Sequence, residues 1–289
     1  MDVQLDQLRA LAAAVDEGTL DAAARRLNVT PSAISQRVKA LETTVGRVLL
    51  RRGKPISVTE SGRAVLSLAR HVDLLVADTT TALGVEPDAT TTLTLAVNAD
   101  SLDTWVLPAL AAVADCVQFE IHREDEEHTT ALLRDGTVMA AITATAEPVQ
   151  GCSVSALGAM RYRPMASPSF AARWFDAPLT EALTRAPVVV FDRKDDLQDR
   201  YLRARLGGAA SPPRHYVPAS AGYVDAVRLG LGWGMIPVLQ SERAPDRFVE
   251  FDPRAHIDVP LYWQQWKLPS RTLTAVAESI ARTASRQLR

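Results

Sequence analysis

The sequence contains very little cysteine. Among 289 residues only Cys116 and Cys152 are cysteines, far apart and without a C-x-x-C motif. Their spacing supports neither a disulfide framework nor a structural zinc site. We therefore expect two reduced thiols, no metal site and no bound cofactor.

Long apolar runs and an export signal are also missing. No segment approaches the roughly 18 apolar residues of a membrane helix. The start, MDVQLDQLRA, lacks the basic, apolar and small-residue order of a signal peptide. With 47% hydrophobic and 23% charged residues, the composition is typical of a folded protein of two or three domains. We expect a cytoplasmic protein without membrane contact.

Common enzyme motifs are absent as well. The chain has no G-x-S-x-G, no H-E-x-x-H and no P-loop, which argues against an enzyme. Gly230, Gly232 and Gly234 do not follow dinucleotide-binding spacing, so a turn is expected there. His122 and His128 flank several carboxylates but lack a recognised ligand spacing. A metal sensor remains an alternative, to be settled by metal analysis.

The charge is distributed unevenly along the chain, although the net charge is only −2. Between Ala22 and Val58 there are eight Lys and Arg residues against one Glu. Between Glu120 and Glu127 there are five acidic residues against one Arg. The basic N-terminal region favours a polyanionic partner, and the acidic cluster favours a cationic one.

The segment TPSAISQRVKALET has the pattern of a capped helix with one apolar and one polar face. Thr30 can cap it and Pro31 suits its first turn. The apolar stripe is Ile34, Val38 and Leu41, and two shorter helical patterns precede it at 5–18 and 20–28. The opposite face carries short or donor-rich side chains, namely Ser32, Ser35, Gln36, Lys39 and Thr43. This arrangement predicts a helix-turn-helix in which Gln36 reads a base edge.

Two further elements follow. VLLRRGKPISVT predicts a hairpin with Arg51, Arg52 and Lys54 at its tip, a basic wing suited to phosphate or minor-groove contact. A helix over 59–83 has apolar residues at alternating three- and four-residue steps, the seam of a short coiled coil. Its seam residues are Val65, Leu68, Val72, Leu75, Thr79 and Ala82. We expect dimerisation through this helix, with packing on its own domain as the alternative.

Taken together, the block AAARRLNVTPSAISQRVKALE at 22–42, the wing and TESG at 59–62 resemble the LysR-type transcriptional regulators, and the resemblance spans the whole chain. It implies a winged helix-turn-helix, a linker helix that mediates dimers, and a two-lobed effector-binding domain like a periplasmic binding protein. It also implies a homodimer or homotetramer, a double-stranded DNA operator and contact with RNA polymerase. By matching positions it assigns DNA contacts to Ser32, Ser35, Gln36 and Arg37, with Arg51 and Arg52 on the wing.

Residues 92–289 alternate strand and helix signals, which predicts an α/β fold. Eight strand candidates are TLTLAV, VQFEIH, VMAAIT, PVVVF, HYVPA, GWGMIP, RFVEF and VPLYWQQW. Helices are centred near 107, 130, 200, 226 and 278. The predicted domains are a DNA-binding domain at 1–58, a linker helix at 59–85 and an effector domain at 90–289. The effector lobes are expected at about 90–160 with 267–289, and at about 161–266.

The effector site is expected beyond the carboxyl ends of the strands. Ser101, read as the cap of SLDTWVLPAL, suits a ligand carboxylate. A narrower resemblance, to the basic-amino-acid-responsive ArgP/LysG subgroup, rests on AVNADSLDTWVLPAL and VPASAGYVDAVRLGLGWGMIP. It favours lysine or arginine as effector and control of genes such as an amino-acid exporter.

Asp100 is the candidate for the effector's α-ammonium group, and Glu124 or Asp125 for its cationic side chain. Alternatively, the acidic cluster only favours a helix N-terminus. Thr143 and Ser220 are weaker candidates for the cleft lining. A different small-molecule or metal effector remains open. An exported solute-binding protein would leave the basic N-terminal region unexplained.

Overall fold

The computed structural model describes residues 2–51, 53–85, 91–123 and 126–289, the last range without the side chains of 126–128. Three predicted site residues, Arg52, Glu124 and Asp125, lie outside the described residues.

The N-terminal headpiece, residues 2–58, has the predicted winged helix-turn-helix arrangement. Its elements are α1 Leu5–Asp16, α2 Leu20–Arg26, α3 Pro31–Val45 and a hairpin of β1 Leu50–Arg51 and β2 Ser57–Val58. The side chains of Ile34, Val38 and Leu41 are buried, as predicted. Asn28 adopts φ 52° where the chain turns into α3. Asn tolerates this left-handed conformation better than most residues.

The linker helix α4, Glu60–Ala82, begins at the predicted Thr59 cap, whose hydroxyl accepts from the Gly62 N–H at 3.0 Å. The predicted coiled-coil seam is divided, however. Val65 packs in the headpiece core against α1, whereas Leu68 is 37% exposed and Ala82 is exposed. The seam prediction was therefore wrong for Val65, because the headpiece needs that face of the helix to close its core.

The rest of the chain is built on one mixed sheet of seven strands, in the order β10–β6–β11–β5–β3–β4, with β9 also paired to β6. Strands β7 and β8 form a separate parallel pair. The strands are β3 Thr92–Val97, β4 Gln118–Arg123, β5 Ala140–Thr143, β6 Cys152–Ala166, β7 Val188–Val190, β8 Arg214–Tyr216, β9 Gly234–Pro237, β10 Val249–Glu250 and β11 Ile257–Trp266.

The helices cover both sides of these strands. They are α5 Ala99–Ser101, a π-helix Leu102–Val106, α6 Leu107–Ala111, α7 Glu126–Arg134, α8 Pro168–Trp174, α9 Leu179–Arg185, α10 Leu197–Leu206, α11 Ser220–Arg228, α12 Val238–Ser241, a 3-10 turn Pro245–Arg247 and α13 Arg271–Gln287. No helix among the described residues is both long enough and apolar enough to span a membrane.

The α/β fold is confirmed, and each of the eight strand candidates overlaps a strand. The sequence patterns missed β6, which is the longest strand described. It pairs with β11 from Cys152 to Tyr162, and its far end pairs with β9 and β10. We call the part with β3–β5, α5–α7 and α13 the first lobe, and the part with β7–β10 and α8–α12 the second lobe. Strands β6 and β11 connect the two.

Candidate DNA interface and effector site

The outer face of α3 presents the polar side chains that the sequence singled out. Ser32, Gln36 and Lys39 are exposed, and Ser35 is half-buried. The Thr30 hydroxyl accepts from the Ala33 N–H at 3.2 Å, and Pro31 occupies the first turn. A capped helix that buries one apolar stripe can hold this face outward for a DNA groove.

Arg37 is directed differently from these residues. Its Nε lies 3.1 Å from Asp6 Oδ2 of α1, and its side chain is 32% exposed. The arginine thus connects α3 to α1, and it would have to leave this partner to contact a phosphate. Its assignment as a DNA contact stays a prediction.

The wing is attached to α3 by a residue that the sequence patterns did not reveal. Glu42 Oε1 accepts from the Leu49 N–H at 2.8 Å. On the other side, the Thr59 hydroxyl donates to the Val48 carbonyl at 2.7 Å. Arg51 lies exposed on this anchored hairpin. The hairpin therefore keeps a fixed place beside α3, as a DNA-contacting wing requires.

Asp100 is the centre of a hydrogen-bond network that spans both lobes. Its Oδ2 accepts from the Tyr162 hydroxyl at 2.7 Å, and its Oδ1 accepts from the Ser220 hydroxyl at 2.9 Å. Gln240 Nε2 donates in turn to Ser220 Oγ at 3.0 Å. The structure thus brings the predicted Asp100 and Ser220 together. Tyr162 and Gln240 are additions, found only because β6 and α12 fold next to α5.

Burial raises the pKa of the Asp100 carboxyl, and the nearby Asp103 charge adds to this, while the bonds from Tyr162 and Ser220 work in the opposite direction. The group therefore has a desolvated negative charge when ionised. A cation that replaces the missing hydration would stabilise that charge.

A second acidic group, Asp195, lies in electrostatic range of Asp100. Its oxygens accept from the N–H groups of Phe191 and Leu197, each at 3.1 Å. Burial is the main reason that its pKa is raised, and the charge of Asp100 contributes. No sequence motif marked Asp195, because it follows an ordinary strand, β7, in a turn of several charged residues.

Next to Asp195, Gln198 is 1% exposed and donates through Nε2 to the Tyr223 hydroxyl at 2.9 Å. Its Oε1 has no hydrogen-bond partner among the described residues. This buried, unpaired acceptor suits a ligand donor, because leaving it unsatisfied costs free energy.

The sequence predicted that Ser101 caps this helix, and that prediction was wrong. Asn98 is the cap, and its Oδ1 accepts from the Ser101 N–H at 3.3 Å. Asn98 comes directly after β3, so the helix starts three residues earlier than expected. The Ser101 side chain is fully buried, and its Oγ has no partner among the described residues. It remains available to a buried polar ligand group.

Thr143 ends β5 at the same edge of the sheet. Its neighbour Ile142 pairs with Val97, so Thr143 lies beside Asn98 at the carboxyl end of β3. The side chain is 1% exposed, and its hydroxyl accepts from the Thr145 N–H at 3.1 Å. This bond gives the Thr143 hydroxyl a structural role that does not depend on a ligand. Strand β4 ends at Arg123, directly before the predicted Glu124 and Asp125, which lie outside the described residues.

Trp105 and Trp233 belong to the hydrophobic core of the two lobes, with 1% and 0% exposure. Among the described side chains no group of three His, Cys, Asp or Glu residues could hold a metal ion.

Two family descriptions match the chain. Residues 5–63 match the bacterial regulatory helix-turn-helix protein, lysR family, and residues 88–285 match the LysR substrate binding domain. A relative in Corynebacterium efficiens, the lysine export transcriptional regulatory protein LysG, is 42% identical over 292 residues, covering 99% of each chain.

Two solved structures are similar over nearly the full length. ArgP from Mycobacterium tuberculosis has a TM-score of 0.84 at 42% identity, covering 98% of each chain. Full-length LysG from Corynebacterium glutamicum with bound effector Arg has a TM-score of 0.75 at 39% identity, covering 99% of each chain. The chain belongs to the LysR family of bacterial transcriptional regulators.

Proposed function

We propose that this LysR-type regulator senses a basic amino acid, lysine or arginine, in the cleft between its two lobes. The observation that carries the proposal is the Asp100 carboxylate, partly buried and bonded to Tyr162 and Ser220 from elements outside its own helix. The bound arginine of the Corynebacterium glutamicum relative supports it.

In this proposal each end of the effector has its own partner. Asp100 receives the α-ammonium group, and Ser101 receives the α-carboxylate through its buried hydroxyl, which has no partner among the described residues. Glu124 or Asp125 binds the cationic side chain. Asp195 adds negative potential to the same cleft, where burial and the charge of Asp100 both raise its pKa. Thr143 and Ser220 complete the lining.

The DNA-binding part of the proposal assigns base reading to Ser32, Ser35 and Gln36, and phosphate contact to Lys39, Arg51 and Arg52. Arg37 joins them if it releases Asp6. We infer a homodimer that forms through the exposed side of α4, where Leu68 is 37% exposed, and through Leu83 directly after it, which is 75% exposed. We also infer that two such dimers pair into a homotetramer. Contact with RNA polymerase belongs to the same proposal, as do the domain limits 1–58, 59–85 and 90–289.

Regulation follows from linkage between the two sites. An effector that binds one arrangement of the lobes more tightly shifts the assembly toward it, and this changes the spacing of paired headpieces on the operator. The name of the Corynebacterium efficiens relative supports amino-acid export genes as targets.

Isothermal titration calorimetry on the full-length protein tests the effector assignment. L-lysine and L-arginine are titrated, with L-norleucine and L-citrulline as uncharged counterparts. We expect binding of at least one basic amino acid and weak or no binding of the uncharged pair. Asp100→Asn should weaken binding by about tenfold or more, the loss of a charge-assisted bond.

Glu181→Gln is the matched control, because that carboxylate is 62% exposed on α9 and pairs only loosely with Arg185. It should leave the affinity unchanged. Full affinity in Asp100→Asn, or equal affinity for norleucine and lysine, would refute the assignment of the effector site.

A further inference from the structure

The helix that carries Asp100 and Ser101 is irregular at its centre. After α5 it continues as the π-helix Leu102–Val106 and then as α6, in which Pro108 is the second residue. Proline has no backbone N–H, so Pro108 cannot donate to Thr104 O, its α-helical acceptor, or to Asp103 O, its π-helical acceptor. Two neighbouring carbonyls thus lose one backbone donor.

A guanidinium from the other lobe reaches the same two carbonyls. Arg243 lies just after α12, and its Nη1 donates to Asp103 O at 2.8 Å while its Nη2 donates to Thr104 O at 2.6 Å. An arginine fork holds two parallel acceptors with more geometric definition than a single ammonium group.

The residues at both ends of this bridge are close in sequence to residues of the proposed effector site. The Thr104 hydroxyl donates to the Asp100 carbonyl at 2.5 Å. Gln240 lies three residues before Arg243 and donates a hydrogen bond to Ser220. Ser220 in turn donates to the Asp100 carboxylate. Arg243 and Gln240 thus connect one short segment of the second lobe to the helix of the first lobe at two points.

We propose that Arg243 is a positioning residue for effector recognition. By binding the carbonyls of Asp103 and Thr104, it holds α12 against the first lobe and keeps Gln240 and Ser220 on Asp100. It does not touch the effector. The proposal rests on the proposed function only for the identity of the ligand, because the bridge itself consists of residues of this chain.

The first experiment measures the bridge in the absence of ligand. Nitroxide labels are placed on the native, exposed Cys116 of the first lobe and on Ala177→Cys, an exposed position of the second lobe. Cys152 stays unlabelled, because burial raises its pKa to about 11. Labelled protein is diluted with unlabelled protein, so that pairs within one chain dominate.

We expect one narrow distance distribution for the parent and a broader or longer one after Arg243→Ala. Arg185→Ala, which removes a 72% exposed arginine within the second lobe, is the control and should keep the parent distribution. Unchanged distances in Arg243→Ala would overturn the bridge, whether or not a basic amino acid binds.

The second experiment measures affinity for L-arginine and L-lysine by calorimetry. Arg243→Ala should weaken binding by about three- to tenfold, the range expected for partly exposed charge-assisted bonds. Arg243→Lys, which can donate to one carbonyl, should recover part of the loss. A thermal melt checks that each variant is folded.

Pro108→Ala supplies the missing N–H and gives the sharpest test. In that background Arg243→Ala should cost a smaller fold-loss than in the parent, since the two carbonyls then depend less on the guanidinium. Additive losses would overturn the role of Pro108.

Widened distances with unchanged affinity would overturn the positioning role. If the parent binds neither amino acid, the proposed function fails, and the distance measurement still decides the bridge.

Discussion

Arg70 of the linker helix and Asp16 of α1 form an ion pair of 2.6 Å, and their side chains are only 10% and 13% exposed. The same guanidinium donates through Nη1 to the carbonyl of Gly136 at 3.2 Å, in the turn after α7. One arginine therefore joins the headpiece, the linker helix and the first lobe. Near it, Arg63 pairs with Asp135 at 3.3 Å.

Replacement of Arg70 should destabilise this junction. We expect Arg70→Met to lower the free energy of unfolding by about 1–3 kcal/mol, because Asp16 and the Gly136 carbonyl both lose a donor in a poorly hydrated place. Urea unfolding measures the change. Arg9→Met is the control, since the Arg9–Asp73 pair is 44% and 37% exposed and should contribute less than about 1 kcal/mol. Equal losses would contradict the importance of burial here.

Gly136 is the part of this junction that tolerates substitution least. Its φ is +68°, and an added Cβ would lie 2.6 Å from Ser67 Cα on α4. Gly207 has a similar φ of +71° with no heavy atom within 4 Å of a built Cβ. Gly207→Ala should cost about 1 kcal/mol for backbone strain alone, and Gly136→Ala about 1–3 kcal/mol more for the clash. Urea unfolding of both variants tests this, and equal costs would mean that α4 does not pack on the turn.

The pH behaviour of Asp100 follows from its raised pKa. A folded-state pKa above the unfolded value means that the folded protein binds the proton more tightly. This contribution to stability is fully present below the unfolded pKa and is lost as the pH rises through the folded pKa. Asp100→Asn should therefore be at least as stable as the parent at pH 7. The two melting temperatures should converge in acid. A large loss of stability at pH 7 would contradict the account.

The DNA-binding face should separate base reading from phosphate contact. Gln36→Ala should reduce the preference for operator over random duplex, while Lys39→Ala and Arg51→Ala should weaken binding to both. Each of the two basic variants should lower the slope of log affinity against log salt by about one. Fluorescence anisotropy over a salt series measures both effects, with Arg185→Ala as control. An unchanged slope in Lys39→Ala would remove it from the phosphate contacts.

Local patterns were sufficient for the headpiece. The Thr30 cap, Pro31 and the buried stripe of Ile34, Val38 and Leu41 are all set by short-range spacing, so α3 was predicted correctly. Local patterns failed for β6. Its pairing with β11 shifts register between Gly158 and Ala156, so no single alternation runs along the strand. The ion-pair partners of Arg161 and Arg163, Asp258 and Glu250, are 97 and 87 residues away.

Only some residues of the candidate effector site could be found from the sequence, for the same reason. Asp100 follows a clear strand, so its place at the sheet edge could be predicted. Ser220 lies in a distinctive turn of the sequence. Tyr162, Asp195 and Gln240 reach the site only through tertiary folding, which no spacing along the chain encodes. The cap was misread because both Asn98 and Ser101 are good capping residues, and the earlier one is used.

Effector-dependent operator binding by the full-length protein tests the central claim most directly. A duplex from the region upstream of the protein's own gene is titrated by anisotropy, with and without L-lysine or L-arginine. The account predicts that at least one basic amino acid changes the affinity or the footprint for the parent and for Glu181→Gln, and that neither changes them for Asp100→Asn. An equal response from parent and Asp100→Asn, or none from the parent, would contradict it.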